Sequence, residues 1–350
     1  MFPKGGSMKT DRILVFELNW LGDILFSFPL LRALRQKYKE AYITCVTVPR
    51  YSDLLVHNPW INYVHVMSDS THISTLFGKL AFIRMLRAER YDVSLLLKPS
   101  RTKAVISRMS GIPERISFAG KNAPLTREVD IPHDHIHRAD QLLSLAGAMG
   151  VDSADGTYEY FYGWEDREKA EAVLRKAGGA IRRIVALNPG GNWEAKRWPA
   201  ERFAELGREL LNRYGDIEIM VTGAVKDIQL AQEIVSLIGA AEKCYSIAGK
   251  TSLNQLAAVF DKCALVISAD SGPLHLASAT GTDTIGLYGP TLPQITGPRG
   301  RGLNIVVQST TDCVLPCYEK RCPKSYECMR SIKTREVLRA AGKVLGGKKK

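Results

Sequence analysis

The stretch ISADSGPLHLASATGTDTIGLYGPT, residues 267–291, decides the fold. Residues 265–269 form a short apolar run that predicts a buried strand, and residues 284–288 predict a second strand after a helix of small residues. A strand, a helix and a further strand in close succession indicate a parallel α/β sheet. Because such sheets bind ligands beyond the carboxyl ends of their strands, the segment after Ala269 is expected to carry a site.

The same alternation of short apolar runs and amphipathic stretches extends outward over the whole chain. Predicted strands of the first half are residues 13–18, 42–48, 64–67, 93–97 and 115–119. Those of the second half are residues 184–188, 217–222, 244–248, 265–269, 284–288 and 304–308. A chain of 350 residues is long enough for two cores. Each half therefore predicts its own doubly wound, Rossmann-like α/β domain.

The domain organisation follows from the segments between these strands. We expect an N-terminal domain over residues 1–164 and a C-terminal domain over residues 180–330. Gly178 and Gly179 end a charged helical stretch, so they predict a helix stop and a hinge into the second domain. Residues 331–350 predict a C-terminal helix that packs back on the first domain, followed by a basic tail.

Composition and charge exclude some classes of protein and favour others. The hydrophobic fraction of 45% and the charged fraction of 24% are those of a soluble globular protein, and no apolar run reaches the ~18 residues of a membrane span. The N-terminal region lacks a signal-peptide pattern, so we expect a cytoplasmic location. The net charge of +12 and the terminal Lys348-Lys349-Lys350 indicate an anionic partner, although a solvated basic terminus is an equal alternative.

A first candidate site is LNWLGDILFSFPLLRAL, residues 18–34. A strand is predicted to end at Leu18, and a helix is predicted to begin near Asp23. A carboxylate there is either an N-cap or a base that takes a proton from an acceptor hydroxyl. No Gly-x-Gly-x-x-Gly pattern follows this strand, which disfavours a dinucleotide site of the dehydrogenase kind.

A second candidate site is LNPGGNWEAKRWPAERFAEL, residues 187–206. Gly190 and Gly191 allow the backbone to approach an oxyanion, and Lys196 supplies a positive charge at the same edge of the sheet. The pattern favours a diphosphate cradle. The alternative is a surface turn in which Trp193 and Trp198 are packing residues.

The third candidate site is the quoted stretch itself. After the strand that ends at Ala269, Asp270 and Ser271 precede Gly272 and Pro273, which open a helix. Glycine exposes the backbone N–H groups and proline fixes the helical φ, so this helix N-terminus is suited to an anion such as a phosphate. A capped helix without a ligand is the alternative, but it leaves His275 unexplained; that side chain is assigned a supporting role.

The segments LGDILFSFPLLRAL, NPGGNWEAKRWP and ADSGPLHLASATGTDTIGLYGPT resemble, in order and spacing, the three signature regions of glycosyltransferase family 9, the heptosyltransferase family. The resemblance implies the GT-B fold, in which two Rossmann-like domains face each other across a cleft. It also implies inverting transfer of a heptose from ADP-heptose to the inner core of lipopolysaccharide, on Kdo-lipid A or heptosyl-Kdo-lipid A.

The resemblance also implies roles for individual residues. Asp23 matches the general base, Lys196 the diphosphate-binding lysine and Asp227 the acidic residue that binds the donor ribose. The other donor-binding candidates are Gly190, Gly191, Asp270, Ser271, Gly272, Pro273 and His275. From the sequence alone, a solvated carboxylate at a helix start is an equal interpretation of Asp227.

On the acceptor side the candidates are Asn19, Trp20 and Gly22. Asn19 and Trp20 depart from the small hydroxylated residues of well-studied family members, which leaves the acceptor and the donor sugar open. The implied partners are a nucleotide-sugar donor, a phosphorylated lipid-saccharide acceptor and the anionic inner face of the plasma membrane, with no nucleic acid. The implied single displacement needs no metal and no cofactor besides the donor.

Cysteines and histidines offer two further clusters. Cys313, Cys317, Cys322 and Cys328 lie within sixteen residues, with spacings that differ from the common paired zinc motif. A thiol cluster, a zinc site and disulfides all remain open, disulfides being disfavoured in a reducing cytoplasm. His133, His135 and His137 alternate, but their position before a predicted helix favours a solvated loop, and no metal is assigned to them.

Three other functions are compatible with these patterns. A family 9 enzyme with another donor or acceptor shares every motif. A non-hydrolysing sugar-nucleotide epimerase shares the two-domain fold, and would convert a UDP-sugar without an acceptor. A non-catalytic nucleotide-binding protein would explain the charge and the phosphate-ready helix, but it would not require Asp23.

Overall fold

The computed structural model describes residues 10–67, 75–131, 136–151, 154–176, 183–317, 319 and 322–347. The chain forms two compact units, the first comprising Met1–Asp134 and Arg138–Gly156 and the second His135–His137 and Thr157–Lys350. The glycine pair at 178–179 and the lysines at 348–350 lie outside the described residues.

The first unit contains a six-stranded parallel sheet. Its strands are β1 Arg12–Phe16, β2 Tyr42–Thr47, β3 Tyr63–Val66, β4 Val93–Leu96, β5 Glu114–Phe118 and β6 Arg127–Val129. Its helices are α1 Leu21–Lys37, α2 Leu76–Glu89, α3 Arg101–Met109 and α4 Arg138–Gly147. The strand order is β3-β2-β1-β4-β5-β6. The prediction missed only β6 among these strands, since its three residues lack a buried apolar run.

The second unit repeats the same architecture. Its strands are β7 Arg183–Asn188, β8 Ile217–Val221, β9 Cys244–Ser246, β10 Cys263–Ala269, β11 Thr284–Tyr288 and β12 Asn304–Gln308. Its helices are α5 Trp164–Lys176, α6 Ala200–Arg213, α7 Ile228–Ile238, α8 Leu253–Asp261, α9 Gly272–Ala279, α10 Pro293–Thr296, α11 Glu327–Ser331 and α12 Thr334–Leu345. The strand order is β12-β11-β10-β7-β8-β9.

Both sheets have the doubly wound Rossmann order, in which the chain reverses direction across the sheet at one switch point. That point lies between β1 and β4 in the first unit, and between β7 and β10 in the second. Ligands of such sheets bind beyond the carboxyl ends of the strands at the switch point. The α/β prediction is confirmed. Ligands are expected at the segment after β1 in the first sheet and at the segments after β7 and β10 in the second.

The C-terminal helix α12 packs within the second unit. Val337, Ala341 and Val344 are buried in the core that covers the second sheet, together with apolar side chains of α6. Trp198 Nε1 donates to the Ile332 carbonyl at 3.1 Å, just before this helix. Within the second unit, the apolar face of α12 is covered by that unit's own sheet and by α6, whereas contact with the first domain stays a prediction.

No helix of the described segments combines the length and the apolar character needed to cross a membrane.

Candidate active site

Asp23 lies in the first turn of α1. The helix begins at Leu21, and Trp20 is its N-cap, with extended dihedral angles of φ −134° and ψ 143°. Asp23 is therefore the third helical residue, so the alternative that it serves only as the N-cap was wrong. Its half-buried carboxylate stands where the helix dipole favours negative charge.

The other acceptor-side candidates lie beside Asp23 in the first unit. Asn19 and Trp20 are exposed, the Trp20 side chain by 56%, and Gly22 is half-buried. The motif thus places an exposed tryptophan three residues before a carboxylate in the first turn of α1.

Glu17, which the sequence analysis passed over, is the first side chain after β1. It is 1% exposed, and Ser27 Oγ lies 3.1 Å from each of its carboxylate oxygens. Burial raises the pKa of Glu17 to about 7, although the hydrogen bonds from Ser27 and the Leu18 N–H and the charge of Lys103 oppose the shift. The sequence did contain a signal for this residue: the carboxylate directly follows four apolar residues of a predicted strand, and these four are buried in the structure.

In the second unit, Gly190 and Asp227 approach each other closely. A Cβ atom on Gly190 would lie 2.5 Å from Asp227 Oδ2, whereas one on Gly191 would meet nothing within 4 Å. The Asp227 side chain is buried, and its Oδ2 accepts the Ala224 N–H at 3.0 Å. The interpretation of Asp227 as a solvated carboxylate was therefore wrong. The oxyanion that Gly190 approaches in this structure is the carboxylate of Asp227 itself.

A ladder of buried polar side chains crosses the switch point of the second sheet. Thr222 Oγ1 donates to Asn188 Oδ1 at 3.1 Å, and Asn188 Nδ2 donates to Ser268 Oγ at 3.1 Å. Ser268 Oγ in turn lies 3.0 Å from Ser271 Oγ. Thr222 follows β8, Asn188 ends β7 and Ser268 is the penultimate residue of β10, so the ladder joins the carboxyl ends of three neighbouring strands. Only Ser271 was a sequence candidate.

Lys196, Asp270 and His275 are joined in one cluster. Lys196 Nζ lies 2.6 Å from Asp270 Oδ2, and His275 Nε2 lies 3.3 Å from Asp270 Oδ1. Thr296 Oγ1 donates to Asp270 Oδ2 at 3.3 Å. Asp270 and His275 are buried, with side chains 4% and 3% exposed. The structure therefore brings Lys196 together with two residues that lie 74 and 79 positions further along the sequence.

Tyr158 extends this cluster on the far side of His275. Its hydroxyl oxygen lies 3.2 Å from His275 Nδ1 and accepts the Arg299 N–H at 3.0 Å. When the tyrosine O–H is directed at Nδ1, that nitrogen is the acceptor, and the ring proton on Nε2 donates to Asp270. Burial raises the pKa of Tyr158, so this hydroxyl keeps its proton. Tyr158 lies far upstream in sequence, and no local pattern indicated its role.

The charge of Asp270 is stabilised within this cluster. Burial acts to raise the pKa of Asp270, but the hydrogen bond from His275 and the positive charge of Lys196 outweigh it and hold that pKa well below its usual value. Asp270 is thus a buried, ionised carboxylate. An ammonium group has three N–H donors, and the bond to Asp270 uses one, which leaves Lys196 able to bind a further anion.

Helix α9 begins next to this cluster without a side-chain cap. Ser271 is its N-cap, but the Ser271 side chain accepts no N–H of the helix and instead lies against Ser268. Pro273 lies in the first turn, as predicted. A helix N-terminus with uncapped N–H groups attracts anions, because those groups and the helix dipole carry partial positive charge.

The cysteine and histidine clusters contribute no metal site within the described residues, where no group of three or more potential ligands has a suitable arrangement. Cys313, Cys317, Cys322 and Cys328 form no disulfides. Burial and the other three thiols raise the pKa of Cys328. His133 and His135 lie outside the described residues. His137 is buried, with Nε2 2.9 Å from the Gly297 carbonyl oxygen, so its assignment to a solvated loop was wrong.

Solved structures similar to this chain share its architecture. A glycosyltransferase family 9 structure from Veillonella parvula superposes with a TM-score of 0.84, covering 97% of this chain and 99% of that chain at 23% identity. The structure of E. coli ADP-heptose lps heptosyltransferase II gives a TM-score of 0.77, covering 95% and 98% at 23% identity. These similarities show the fold, which is the GT-B architecture of glycosyltransferases.

Sequence comparison defines the family more narrowly. The family model for glycosyltransferase family 9 (heptosyltransferase) matches residues 79–326. A Campylobacter jejuni lipooligosaccharide heptosyltransferase 2 is 32% identical over 347 residues, which cover 95% of this chain and 98% of the relative. The chain therefore belongs to glycosyltransferase family 9, the heptosyltransferase family, and is a glycosyltransferase.

Proposed function

We propose that the protein is an inverting heptosyltransferase that uses ADP-heptose to glycosylate the inner core of lipopolysaccharide. The observation that carries the proposal is the pairing of Lys196 with buried Asp270 beside the uncapped N-terminus of α9. Family membership and the names of the similar proteins supply the class of donor and acceptor. The proposal requires an anionic donor at this cluster and a base for the acceptor.

The second unit binds the donor in this proposal. Lys196 and the N–H groups at the start of α9, around Ser271 and Gly272, bind the diphosphate and stabilise the charge that develops when ADP leaves. Asp227 accepts hydrogen bonds from the ribose hydroxyls. His275 keeps Asp270 ionised and oriented, and Asp270 in turn positions the Lys196 ammonium. Gly190 provides the space that the Asp227 carboxylate occupies.

The first unit supplies the base. Asp23 takes the proton of the acceptor hydroxyl while the acceptor oxygen forms a bond to the anomeric carbon of the heptose. The bond from that carbon to the diphosphate oxygen breaks on the opposite face, so the anomeric configuration inverts and ADP carries away the electron pair. Asn19, Trp20 and Gly22 form the acceptor-side surface next to this base.

No metal ion and no separate cofactor take part in this scheme. The charge on the leaving diphosphate is balanced by Lys196 and the start of α9, and the carboxylate nearest to them, Asp270, is already engaged by three partners. Activity that survives EDTA supports this part of the proposal, whereas activity that is lost with EDTA and restored by added Mg²⁺ contradicts it.

We further propose that the protein acts at the cytoplasmic, anionic face of the inner membrane. One hollow of about 400 Å³ on the second unit is lined by Arg213, Arg335, Arg339 and Lys343. The last three lie on the exposed side of α12, four residues apart, and the terminal lysines follow in sequence. Basic side chains clustered in this way attract anionic lipid headgroups, each by about 1 kcal/mol.

Co-sedimentation with vesicles tests this contact. Arg335→Glu/Arg339→Glu is expected to lose binding to phosphatidylglycerol vesicles, and no variant should bind phosphatidylcholine vesicles. The matched control is Lys169→Glu/Arg175→Glu, which reverses two exposed charges on α5 that pair with Glu165 and Glu171. Equal binding by both double variants would contradict the assignment of α12 as the contact surface.

A substrate panel tests the reaction. Purified protein is incubated with ADP-heptose, other nucleotide sugars and UDP-sugars, each with Kdo-lipid A, with heptosyl-Kdo-lipid A or without acceptor. The proposal predicts a glycosylated lipid and ADP only when ADP-heptose and one acceptor are both present. An epimerised sugar nucleotide without acceptor would favour an epimerase, and ADP binding without any turnover would favour a non-catalytic protein.

A further inference from the structure

Glu17 stands at the position of the first unit where ligands of doubly wound sheets bind. It follows β1 directly, and β1 is the strand next to the switch point with β4. The backbone N–H of Glu17 still takes part in the hydrogen bonding of the sheet, because it donates to the Val46 carbonyl at 2.9 Å. The carboxyl group is nonetheless buried, with 1% of the residue exposed. A buried carboxyl group at a strand end beside the candidate base is not explained by the roles assigned so far.

The contacts of Glu17 join it to the segment that carries Asp23. The Leu18 N–H lies 3.3 Å from Glu17 Oε2, so the carboxyl group contacts the start of the loop that leads through Asn19 and Trp20. Ser27, which follows Asp23 by one helical turn, lies 3.1 Å from both carboxylate oxygens. The same Ser27 hydroxyl lies 2.7 Å from the carbonyl oxygen of Ile24.

A serine hydroxyl has one proton, so these contacts depend on the protonation of Glu17. When Glu17 is protonated, its O–H can donate to Ser27 Oγ, and the Ser27 proton goes to the Ile24 carbonyl. When Glu17 is ionised, Ser27 must turn its proton to the carboxylate and leave the Ile24 carbonyl. The Ser27 hydroxyl lies within hydrogen-bond distance of both acceptors, 2.7 Å from the Ile24 carbonyl oxygen and 3.1 Å from the carboxyl oxygens, so changing from one arrangement to the other needs only a rotation of its proton.

The groups that act on Glu17 come from three elements. Ser27 contributes from α1, Cys45 from β2 and Lys103 from α3. The Lys103 ammonium lies 3.5 Å from the Glu17 backbone carbonyl oxygen, and its charge favours the ionised carboxylate. Burial is the larger influence and raises the pKa of Glu17 to about 7, so both protonation states are populated at neutral pH.

We propose that Glu17 is a positioning residue whose protonation state sets the conformation of residues 18–20 and the first turns of α1, and thereby the placement of the base Asp23. The inference rests on the proposed function for the role of Asp23, but the link between Glu17, Ser27 and the loop does not depend on the identity of the substrate. In the protonated form, the Ser27 hydroxyl donates to the Ile24 carbonyl oxygen. Ionisation redirects Ser27 and loosens the turn that contains Asp23.

Two consequences are measurable. Above the pKa of Glu17, the protonated fraction falls about tenfold per pH unit, so kcat/KM for the acceptor is expected to fall with the same dependence. Glu17→Gln replaces the carboxyl group by a permanently neutral amide that can still donate to Ser27. This variant is expected to have a pH profile without the fall above neutral pH, while the affinity for ADP is the same as in the wild type at every pH.

The decisive experiment observes the loop without requiring turnover. The indole N–H signal of Trp20, assigned through Trp20→Phe, is followed by NMR from pH 5.5 to 8.5 in the wild type, Glu17→Gln and Ser27→Ala. We expect a shift with a midpoint near 7 in the wild type, no such shift in Glu17→Gln and a reduced shift in Ser27→Ala. The histidines of the first unit are unchanged in all three proteins, so they cannot produce this difference.

Two results would overturn the proposal. One is a Trp20 titration that persists unchanged in Glu17→Gln; the other is a 13C-labelled Glu17 carboxyl signal that does not titrate between pH 5.5 and 8.5. A wild-type protein that shows the Trp20 titration but transfers no sugar would contradict the proposed function and leave the link between Glu17 and the loop intact. The two failures are therefore distinguishable.

Discussion

Lys196 Nζ lies 2.6 Å from Asp270 Oδ2, and the Asp270 side chain is only 4% exposed while that of Lys196 is 23% exposed. The carboxylate is therefore buried, whereas the Lys196 side chain is partly exposed on the second unit. This asymmetry lets Asp270 position the cation while Lys196 keeps donors for a diphosphate. The pair is thus suited to holding a charge in place for an incoming anion.

Removing the cation should affect both stability and nucleotide binding. In Lys196→Met, the Asp270 carboxylate keeps His275 and Thr296 but loses its positive partner. We expect the free energy of unfolding of the second unit to fall by about 1–3 kcal/mol, because a buried carboxylate loses a charged hydrogen bond. ADP affinity, measured by calorimetry, should fall about tenfold or more. Lys262→Met, which removes an exposed ion pair with Glu171, is the control and should leave ADP affinity unchanged.

The glycine pair offers a matched comparison at adjacent positions. A Cβ on Gly190 would lie 2.5 Å from Asp227 Oδ2, and one on Gly191 would meet no atom within 4 Å. Gly190→Ala should displace the Asp227 carboxylate and destabilise the second unit by about 1–3 kcal/mol. Gly191→Ala should stay within about 0.5 kcal/mol of the wild type. Chemical denaturation measures the stability of both variants. Equal losses of stability would show that Gly190 and Asp227 do not lie this close together in solution.

Tyr158 should determine the tautomer of His275. Tyr158→Phe removes the hydroxyl that lies against His275 Nδ1 and leaves the Arg299 N–H without its acceptor. We expect a loss of about 1–3 kcal/mol in stability from the unsatisfied buried groups. In the wild type, 15N NMR of His275 should show the proton on Nε2, and in the variant a mixture of tautomers. A wild-type imidazole with its proton on Nδ1 would contradict the hydrogen-bond directions assigned to this cluster.

The stability of the first unit should depend on pH through Glu17. Its pKa is raised from 4.5 to about 7 on folding, so the folded state binds the proton more tightly than the unfolded chain. The stabilisation is complete below pH 4.5 and is lost as the pH rises to 7, by about 3 kcal/mol at most. Glu17→Gln should lose this dependence, so its stability relative to the wild type should increase from pH 5 to pH 8. Parallel stability curves of the two proteins would exclude the raised pKa.

Most of the fold could be predicted because periodic burial leaves a local signal. Strands such as β7 and β11 are continuous apolar runs, and the sequence identifies them within a residue or two. Strand β6 could not be found, since two of its three residues are exposed and neighbouring β5 alone defines its place in the sheet. The sequence also did not identify the sheet that covers α12. An apolar helix face alone does not reveal against which of two similar sheets the helix packs.

For the candidate site, the sequence predicted residues in motifs but not the partners that the fold brings to them. Asp270 and Lys196 were found because each ends or follows a predicted strand. Tyr158, Asn188 and Thr222 were missed because their roles depend on contacts made 34 residues or more along the chain. Glu17 was missed for another reason: a glutamate after a strand is ordinary in sequence, and only its burial makes it unusual.

In the proposed reaction, Asp23 is the base and the second unit binds the donor. The most direct measurement is the rate of heptose transfer from ADP-heptose to the lipid acceptor by Asp23→Asn, together with its affinity for ADP. We predict that kcat falls about a hundredfold or more while ADP binds as in the wild type. Turnover of Asp23→Asn close to that of the wild type would contradict the account.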